Sequence, residues 1–179
     1  MFYTRVILEN DIEIKKYLDA HDFKKISNFA FYDLVYQNNN GDSITDDTLK
    51  IRVYQHNEWN NKAVLVIHKK AIFNGKEKED KVLTREEFDI LDDALSFVEE
   101  NFADQYTFSF KLEKTGVQYG TEFATVWLEE IVDLGTSIEI GSKDPDIINQ
   151  IISDISIVER LDVSVPEYMF HKLHSKNYK

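Results

Sequence analysis

The 179-residue sequence contains no cysteine, only two prolines and only six glycines. The absence of cysteine excludes disulfide bonds, thiolate zinc or iron–sulfur sites and a cysteine nucleophile. The scarcity of proline and glycine excludes linkers rich in either residue. No apolar stretch approaches the roughly 18 to 20 residues that a membrane-spanning helix needs, and residues 1–11 do not resemble a signal peptide. These absences predict a soluble cytoplasmic protein that does not associate with membranes.

Positive charge is also scarce, because 21 Lys and Arg residues stand against 33 Asp and Glu residues, a formal net charge of −12. Such a surface repels the phosphate backbone of nucleic acids unless its cations are gathered in one place, so general nucleic-acid binding is not expected. Hydrophobic residues make up 42% of the chain and aromatic residues 13%, which suffices for a buried core. The length suits one domain, and we predict a single domain over residues 1–179.

Hydrophobic spacing divides the chain into strands and helices. A helix over residues 84–102 is predicted from a capping box at Thr84–Glu87, followed by apolar residues at three- and four-residue steps. Asp144 and Pro145 predict the start of another helix, as N-cap and first helical residue. The remaining predicted helices cover residues 12–22 and 166–173. The predicted strands cover residues 2–8, 29–37, 49–55, 63–69, 106–114, 121–132 and 136–140, with loops at residues 76–81 and 116–120.

This order of elements predicts an α+β fold with a large antiparallel sheet, because nothing in the pattern requires long parallel crossovers. Such a sheet must be packed or closed to protect its edges. A barrel or tunnel is one solution.

Several segments resemble the landmarks of one protein family, in the same order. Leu49–Arg52 is similar to a Leu-Arg-Ile-Arg strand, Val66–Lys69 to a Leu-Thr-Tyr-Lys strand, and Val126–Gly135 to a Leu-Asp-x-Val-x-Gly-Leu-Gly turn. Ser137–Ile140 then resembles a Phe-x-Glu-Ile-Glu strand, and Pro166–Leu173 resembles the family's C-terminal tail. The family is the CYTH superfamily of class IV adenylate cyclases and thiamine triphosphatases, also called triphosphate tunnel metalloenzymes.

The resemblance implies an eight-stranded antiparallel β-barrel or tunnel with flanking helices. Alternate residues of its strands would face inward, where cations bind phosphate oxygens by charge-assisted hydrogen bonds. Carboxylates would hold Mg²⁺ or Mn²⁺, which polarises the phosphoryl group and activates water. The implied triphosphate ligands are Lys50, Arg52, Lys69 and Lys114, and the implied metal ligands are Glu129, Glu139 and Glu79.

The sequence departs from the family pattern at three places, one of which is the family's Lys-x-Arg pair, here Lys114-Thr115-Gly116 or Lys111-Leu112-Glu113 depending on alignment. The other two concern carboxylates. The family's first strand carries Glu-x-Glu-x-Lys, but this chain reads Tyr3-Thr4-Arg5-Val6-Ile7 there. The family's Glu-Ile-Glu becomes Glu139-Ile140-Gly141. Losing ligands for a divalent ion should weaken metal binding. Glu79, in a charged run typical of a solvated turn, could compensate.

Three functions stay open. The first is metal-dependent hydrolysis of an inorganic or small organic triphosphate. The second is a nucleotide-binding, polyphosphate-binding or protein-interaction module without metal chemistry, and the third is an adenylate cyclase. Motifs of Walker NTPases, nucleophile-elbow hydrolases and Rossmann enzymes are absent, and the five histidines have no convincing zinc spacing. Without the resemblance, Lys50 and Arg52 would be typical of a solvated strand face.

Overall fold

The computed structural model describes residues 1–40, 46–57, 63–74 and 77–175. Within these residues the chain forms nine strands and four helices. In chain order they are β1 (Phe2–Ile7), α1 (Ile12–Ala20), β2 (Lys24–Asn38), β3 (Asp47–Asn57), β4 (Val64–Asn74), β5 (Glu77–Phe88), α2 (Leu91–Phe102), β6 (Tyr106–Gly120), β7 (Ala124–Ile131), β8 (Gly135–Ser142), α3 (Pro145–Ser153), β9 (Glu159–Leu161) and α4 (Val165–Ser175).

The strands form one antiparallel sheet in the order β5-β4-β3-β2-β6-β7-β8-β1-β9. The predicted α+β class is therefore confirmed, but the expected count of eight strands is wrong for the described residues. The additional strand, β9, pairs with β1 over three residues, which is too short for a recognisable alternation in the sequence. Closure of the sheet into a barrel is not seen among the described residues, so the tunnel stays a prediction.

The chain divides into two compact units. Unit 1 comprises Met1–Ala30 and Lys114–Asp162, and unit 2 comprises Phe31–Glu113 and the chain from Val163 onward. The strands β2 and β6 each contribute residues to both units. A single domain over residues 1–179 stays a prediction. None of the helices in the described ranges is long and apolar enough to cross a membrane.

The core of unit 1 lies between one face of its sheet and the helices α1 and α3. The start of α3 is as predicted, because the Asp144 side chain accepts a hydrogen bond from the backbone N–H of Asp146 at 3.0 Å and Pro145 opens the helix. Alternation in the strands and helical spacing in α1 and α3 direct apolar side chains into this layer. Its central residues are Val6, Ile14, Leu18, Val126, Ile138, Ile140, Ile148 and Ile151.

The core of unit 2 lies between α2 and one face of β3 and β4. Leu49 and Ile51 from β3 are fully buried there, with Ala94 and Val98 from α2. Because successive strand residues point to opposite faces, Lys50 and Arg52 lie on the other face. The alternation predicted for residues 49–55 is confirmed.

Three local predictions are wrong. Thr84–Phe88 belongs to β5 and not to a helix, because it pairs with β4, with Thr84 opposite His68 and Phe88 opposite Val64. Pairing in the sheet provides hydrogen bonds for the backbone N–H groups that a capping box would otherwise satisfy. The helix α2 begins only at Leu91. The predicted loop at residues 116–120 is the last part of β6, and residues 77–81 of the predicted loop at residues 76–81 belong to β5.

Candidate functional site: two clusters of charged residues

A partly buried group of charged residues lies on the face of unit 1 opposite its apolar core. We call it the Arg5 cluster, and it consists of Arg5, Lys114, Glu129, Ser137 and Glu139. Arg5 on β1 is directly opposite Glu139 on β8, and Ser137 on β8 is directly opposite Glu129 on β7. Directly opposite residues and residues two apart share a face, so the register brings these side chains together.

The guanidinium of Arg5 joins the two carboxylates of this cluster. Its Nη1 donates to Oε2 of Glu129 and its Nη2 donates to Oε2 of Glu139. Nη1 also lies 3.4 Å from the hydroxyl oxygen of Ser137. The ammonium of Lys114 lies 3.4 Å from the same Oε2 of Glu129. One carboxylate oxygen therefore faces two cations.

The cluster is formally neutral, with two cations and two carboxylates. Glu129 is 5% exposed and Lys114 is 8% exposed, so neither charge is compensated mainly by water. Burial by itself lowers the pKa of Arg5, but the charges of Glu129 and Glu139 outweigh it and raise that pKa above its usual value. The guanidinium is a permanent positive charge between the carboxylates.

The residues of this cluster do not fit a divalent metal ion. Glu129 and Glu139, the predicted metal ligands, are brought together, but a cation already lies between them. Hard cations require several oxygen ligands, and among the described residues no group of three or more Asp, Glu and His side chains could supply them. The third predicted ligand, Glu79, lies in β5 opposite Ile72, and its side chain is outside the described part of the structure.

Unit 2 carries the second group, the Asp33 cluster, which consists of Asp33, Lys50, Arg52 and Phe31. Nε of Arg52 donates to Oδ1 of Asp33 at 2.7 Å and Nη2 donates to Oδ2 at 2.8 Å. The ammonium of Lys50 donates to Oδ2 at 3.0 Å. The Arg52 guanidinium carbon lies 3.8 Å from the centre of the Phe31 ring, within the range of a cation–π contact.

The electrostatics of this cluster leave one positive charge in excess. Asp33 is only 1% exposed. Burial by itself would raise the pKa of its carboxyl, but Lys50 and Arg52 outweigh burial and hold the pKa far below its usual range. Burial would lower the pKa of Arg52, whereas the hydrogen bonds and charge of Asp33 raise it. Asp33 and Arg52 are therefore both charged at neutral pH.

Lys69 shares the face of the sheet that carries Lys50 and Arg52. It is opposite Thr48 in the pairing of β3 with β4, and Thr48 is two residues from Lys50. We call Lys50, Arg52 and Lys69 the cationic face. Lys114, the fourth predicted triphosphate ligand, belongs to unit 1 and contacts Glu129. The binding roles of all four residues stay predictions.

Two important residues were missed by sequence reasoning. Asp33 interrupts the row Phe29, Phe31 and Val35, all of which are buried, and a single acid in such a row is a signal for a buried ion pair. Arg5 gave a weaker signal, as a charged residue at an alternating position of the first strand. Its partners lie more than a hundred residues away, and only the strand register brings them close.

A third polar group, in unit 2, surrounds the buried carboxylate of Asp47. The hydroxyl of Tyr106 donates to its Oδ1 at 2.5 Å, and the amide of Asn38 donates to Oδ2 at 2.8 Å. Nε2 of His68 lies 2.8 Å from Oδ1. Burial would raise the pKa of Asp47, but these hydrogen bonds lower it. The group is located among the aromatic residues beside α2.

Comparison with known proteins gives matches for the fold. No family model and no curated protein sequence matches the chain. The structure is similar to the protein PH1819 from Pyrococcus horikoshii, with a TM-score of 0.69, 20% identity and coverage of 99% of this chain and 100% of that chain. It is also similar to a candidate adenylate cyclase from Vibrio parahaemolyticus, with a TM-score of 0.62, 14% identity and coverage of 94% and 96%.

A third similar structure is HpAC1 from Hippeastrum, a candidate adenylyl cyclase described as having a dominant triphosphatase activity. Its TM-score is 0.60 at 16% identity, with coverage of 95% of this chain and 94% of that chain. The structural neighbours are CYTH-like proteins. The resemblance that the sequence indicated is therefore confirmed for the fold.

Proposed function

We propose that this protein binds a small molecule bearing a triphosphate or polyphosphate group, including nucleotides, on the cationic face of β3 and β4. The observation that carries the proposal is the Asp33 cluster, which fixes Lys50 and Arg52 side by side with a net positive charge. Ammonium and guanidinium groups are strong donors to phosphate oxygens. Lys69 lies on the same face and adds a third cation.

The charge of the whole chain makes this local concentration of cations more informative. With a formal net charge of −12, most of the surface repels a polyanion. Lys50 and Arg52 are 17% and 22% exposed, so they are partly withdrawn from solvent but still accessible. Phosphate oxygens are attracted more strongly to partly desolvated cations than to fully solvated ones. An ordered, positive patch within an acidic protein suits a small anion better than a long nucleic acid.

Metal-dependent triphosphate hydrolysis is the second candidate, and the fold shared with HpAC1 favours it. The Arg5 cluster favours binding over hydrolysis, because the carboxylates Glu129 and Glu139 already contact a guanidinium. Phosphoryl transfer depends on positioning and on charge stabilisation, for which such enzymes use metal ions. We therefore place binding first and hydrolysis second.

The test is calorimetric titration with inorganic triphosphate, ATP and thiamine triphosphate, each with and without Mn²⁺. We expect saturable binding that does not require Mn²⁺ and that weakens as KCl is raised. Lys50→Gln and Lys69→Gln should each weaken binding about tenfold, because each removes one charge-assisted contact with phosphate. Both substitutions leave the paired hydrogen bonds between Arg52 and Asp33 intact.

Lys24→Gln is the matched control, because Lys24 is an exposed lysine of unit 1 whose side chain is 80% exposed. It removes the same charge from the chain and should leave binding unchanged. Absence of binding to all three compounds, or an equal loss in all three variants, would refute the proposal. Phosphate release that requires Mn²⁺ would establish hydrolysis instead, and cyclic AMP formed from ATP would establish a cyclase.

A further inference from the structure

We infer that Arg5 takes the place of a divalent cation between Glu129 and Glu139, so that the Arg5 cluster is a centre neutralised by the chain itself. The inference goes beyond the proposed function, because it concerns unit 1 and holds whether or not the cationic face of unit 2 binds phosphate. It rests on the arrangement of one guanidinium between two carboxylates that come from neighbouring strands.

The first argument is geometric. A divalent ion held by Glu129 and Glu139 would lie between their oxygens, and this is where the two terminal nitrogens of Arg5 lie. The register of β1 with β8 brings the guanidinium to this position, because Arg5 is directly opposite Glu139. The guanidinium is planar and donates in fixed directions, so it can bridge two carboxylates in the way that a metal ion does.

The second argument concerns charge. A divalent ion entering the cluster would approach the permanent charge of Arg5 and the ammonium of Lys114, which is 3.4 Å from Glu129. Arg5 cannot lose its proton to make room. The carboxylates are already balanced by two cations, so an added metal ion would create an excess of two positive charges in a partly buried place. Such an excess is expensive where water cannot compensate it.

The third argument concerns the space next to the cluster. Tyr3 is directly opposite Gly141, two pairs along from the pair of Arg5 with Glu139. A Cβ atom on Gly141 would lie 2.8 Å from Cε1 of the Tyr3 ring and 3.4 Å from Cζ3 of Trp127. An aromatic ring therefore covers a glycine at this register position, and neither residue offers an oxygen ligand of the carboxylate type. The three arguments agree that the cluster is complete without a metal ion.

The experiment measures binding of Mn²⁺ alone, by the electron paramagnetic resonance signal of the free ion. Four proteins are compared, namely the wild type, Glu129→Gln, Arg5→Gln and Arg5→Glu. We expect the wild type and Glu129→Gln to show the same weak, non-saturable binding. Arg5→Glu removes the bridging charge and places a third carboxylate beside Glu129 and Glu139, and it should bind Mn²⁺ at least about tenfold more tightly than the wild type.

Arg160→Gln is the matched control. Arg160 lies on β9 of the same unit, is exposed and donates to the hydroxyl of Thr4 at 3.1 Å. This variant loses the same single charge as Arg5→Gln without freeing Glu129 or Glu139, and it should remain like the wild type. The gain in Arg5→Glu should disappear when Glu129→Gln is added.

Saturable Mn²⁺ binding by the wild type that is lost in Glu129→Gln would overturn the inference, and this comparison leaves Arg5 unchanged. If Arg5→Glu is unfolded without metal, its melting temperature in the presence of Mn²⁺ shows whether it binds the ion. An ion that binds only the native state raises that temperature. A rise in Arg5→Glu but not in Arg160→Gln supports the inference. Equal behaviour of Arg5→Glu, Arg5→Gln and the wild type in both measurements would refute it.

Discussion

Arg52 and Asp33 form an ion pair with two parallel hydrogen bonds, in which Nε and Nη2 donate to different oxygens of the carboxylate at 2.7 and 2.8 Å. Planar pairing of this kind fixes both side chains in direction as well as in distance. Phe31 supports the guanidinium from its face at 3.8 Å. The pair therefore orients one wall of the proposed anion site before any ligand arrives.

Removal of Arg52 tests the structural importance of this pair. Arg52→Ala leaves Asp33, which is 1% exposed, with Lys50 as its remaining cation of the cluster. We expect the free energy of unfolding to fall by about 3 kcal/mol, because a buried charge has lost its main partner. Lys24→Ala, which breaks a highly exposed pair with Asp22, should change it by less than about 0.5 kcal/mol. Urea unfolding measures both, and equal effects would contradict the prediction.

Stability should also depend on pH through Asp33. The pKa of its carboxyl is lowered in the folded protein, so the unfolded chain binds more protons in acid, and stability is lost as pH falls through the folded pKa. We expect the free energy of unfolding to decline below about pH 4, by up to about 1.4 kcal/mol per pH unit for one such group. Asp47, whose pKa is also lowered, contributes in the same direction.

Asp33→Asn separates these two contributions, because asparagine does not titrate. Urea midpoints between pH 6 and the lowest pH at which the protein is folded should decline less steeply in this variant than in the wild type. Some decline should persist, because Asp47 is unchanged. Parallel profiles for the two proteins would show that Asp33 has no part in the acid sensitivity.

The hydroxyl of Tyr106 should be important for the packing around α2. It donates to the buried carboxylate of Asp47 at 2.5 Å. Tyr106→Phe removes this hydrogen bond to a charged group and should lower the free energy of unfolding by about 2 kcal/mol. Tyr119→Phe, a change of the same kind in a half-buried tyrosine of the same strand, is the control and should cost less. Thermal and urea unfolding measure the difference, and a loss of equal size in both variants would contradict it.

The strands and helices could be predicted largely from the sequence, because the apolar residues of both cores mostly recur at the spacing of a strand or a helix. Leu49 and Ile51 alternate with Lys50 and Arg52, and the cap at Asp144 has its usual chemistry. The error at Thr84–Phe88 came from a local motif that sheet pairing with β4 overrode. Helix propensity and capping contribute only weakly to local structure. Pairing with a distant strand therefore decides whether such a segment is a helix or a strand.

The candidate site was less predictable than the fold. The residue types of the cationic face followed from the family resemblance, but the partners of those residues depend on register between strands that are distant in sequence. Glu129 was expected to bind a metal ion, whereas its contacts are with Arg5 and Lys114. An alternating pattern states which residues share a face of one strand, but it does not state which residues of another strand stand opposite.

Gly116 supplies the last prediction, since the sequence suggested a loop where the structure has a continuous strand. A Cβ atom at this position would lie 2.5 Å from the carbonyl oxygen of Leu128 and 2.6 Å from Cζ of Phe29. The oxygen is part of the paired strand β7 and cannot move without disturbing the sheet, so Gly116→Ala should lower the free energy of unfolding by about 2 kcal/mol. At Gly120, on the same strand, the nearest atom is the end of the flexible Ile26 side chain at 2.7 Å. Gly120→Ala should therefore cost clearly less in the same urea titration, and a larger loss at Gly120 than at Gly116 would refute this account of why the strand needs glycine.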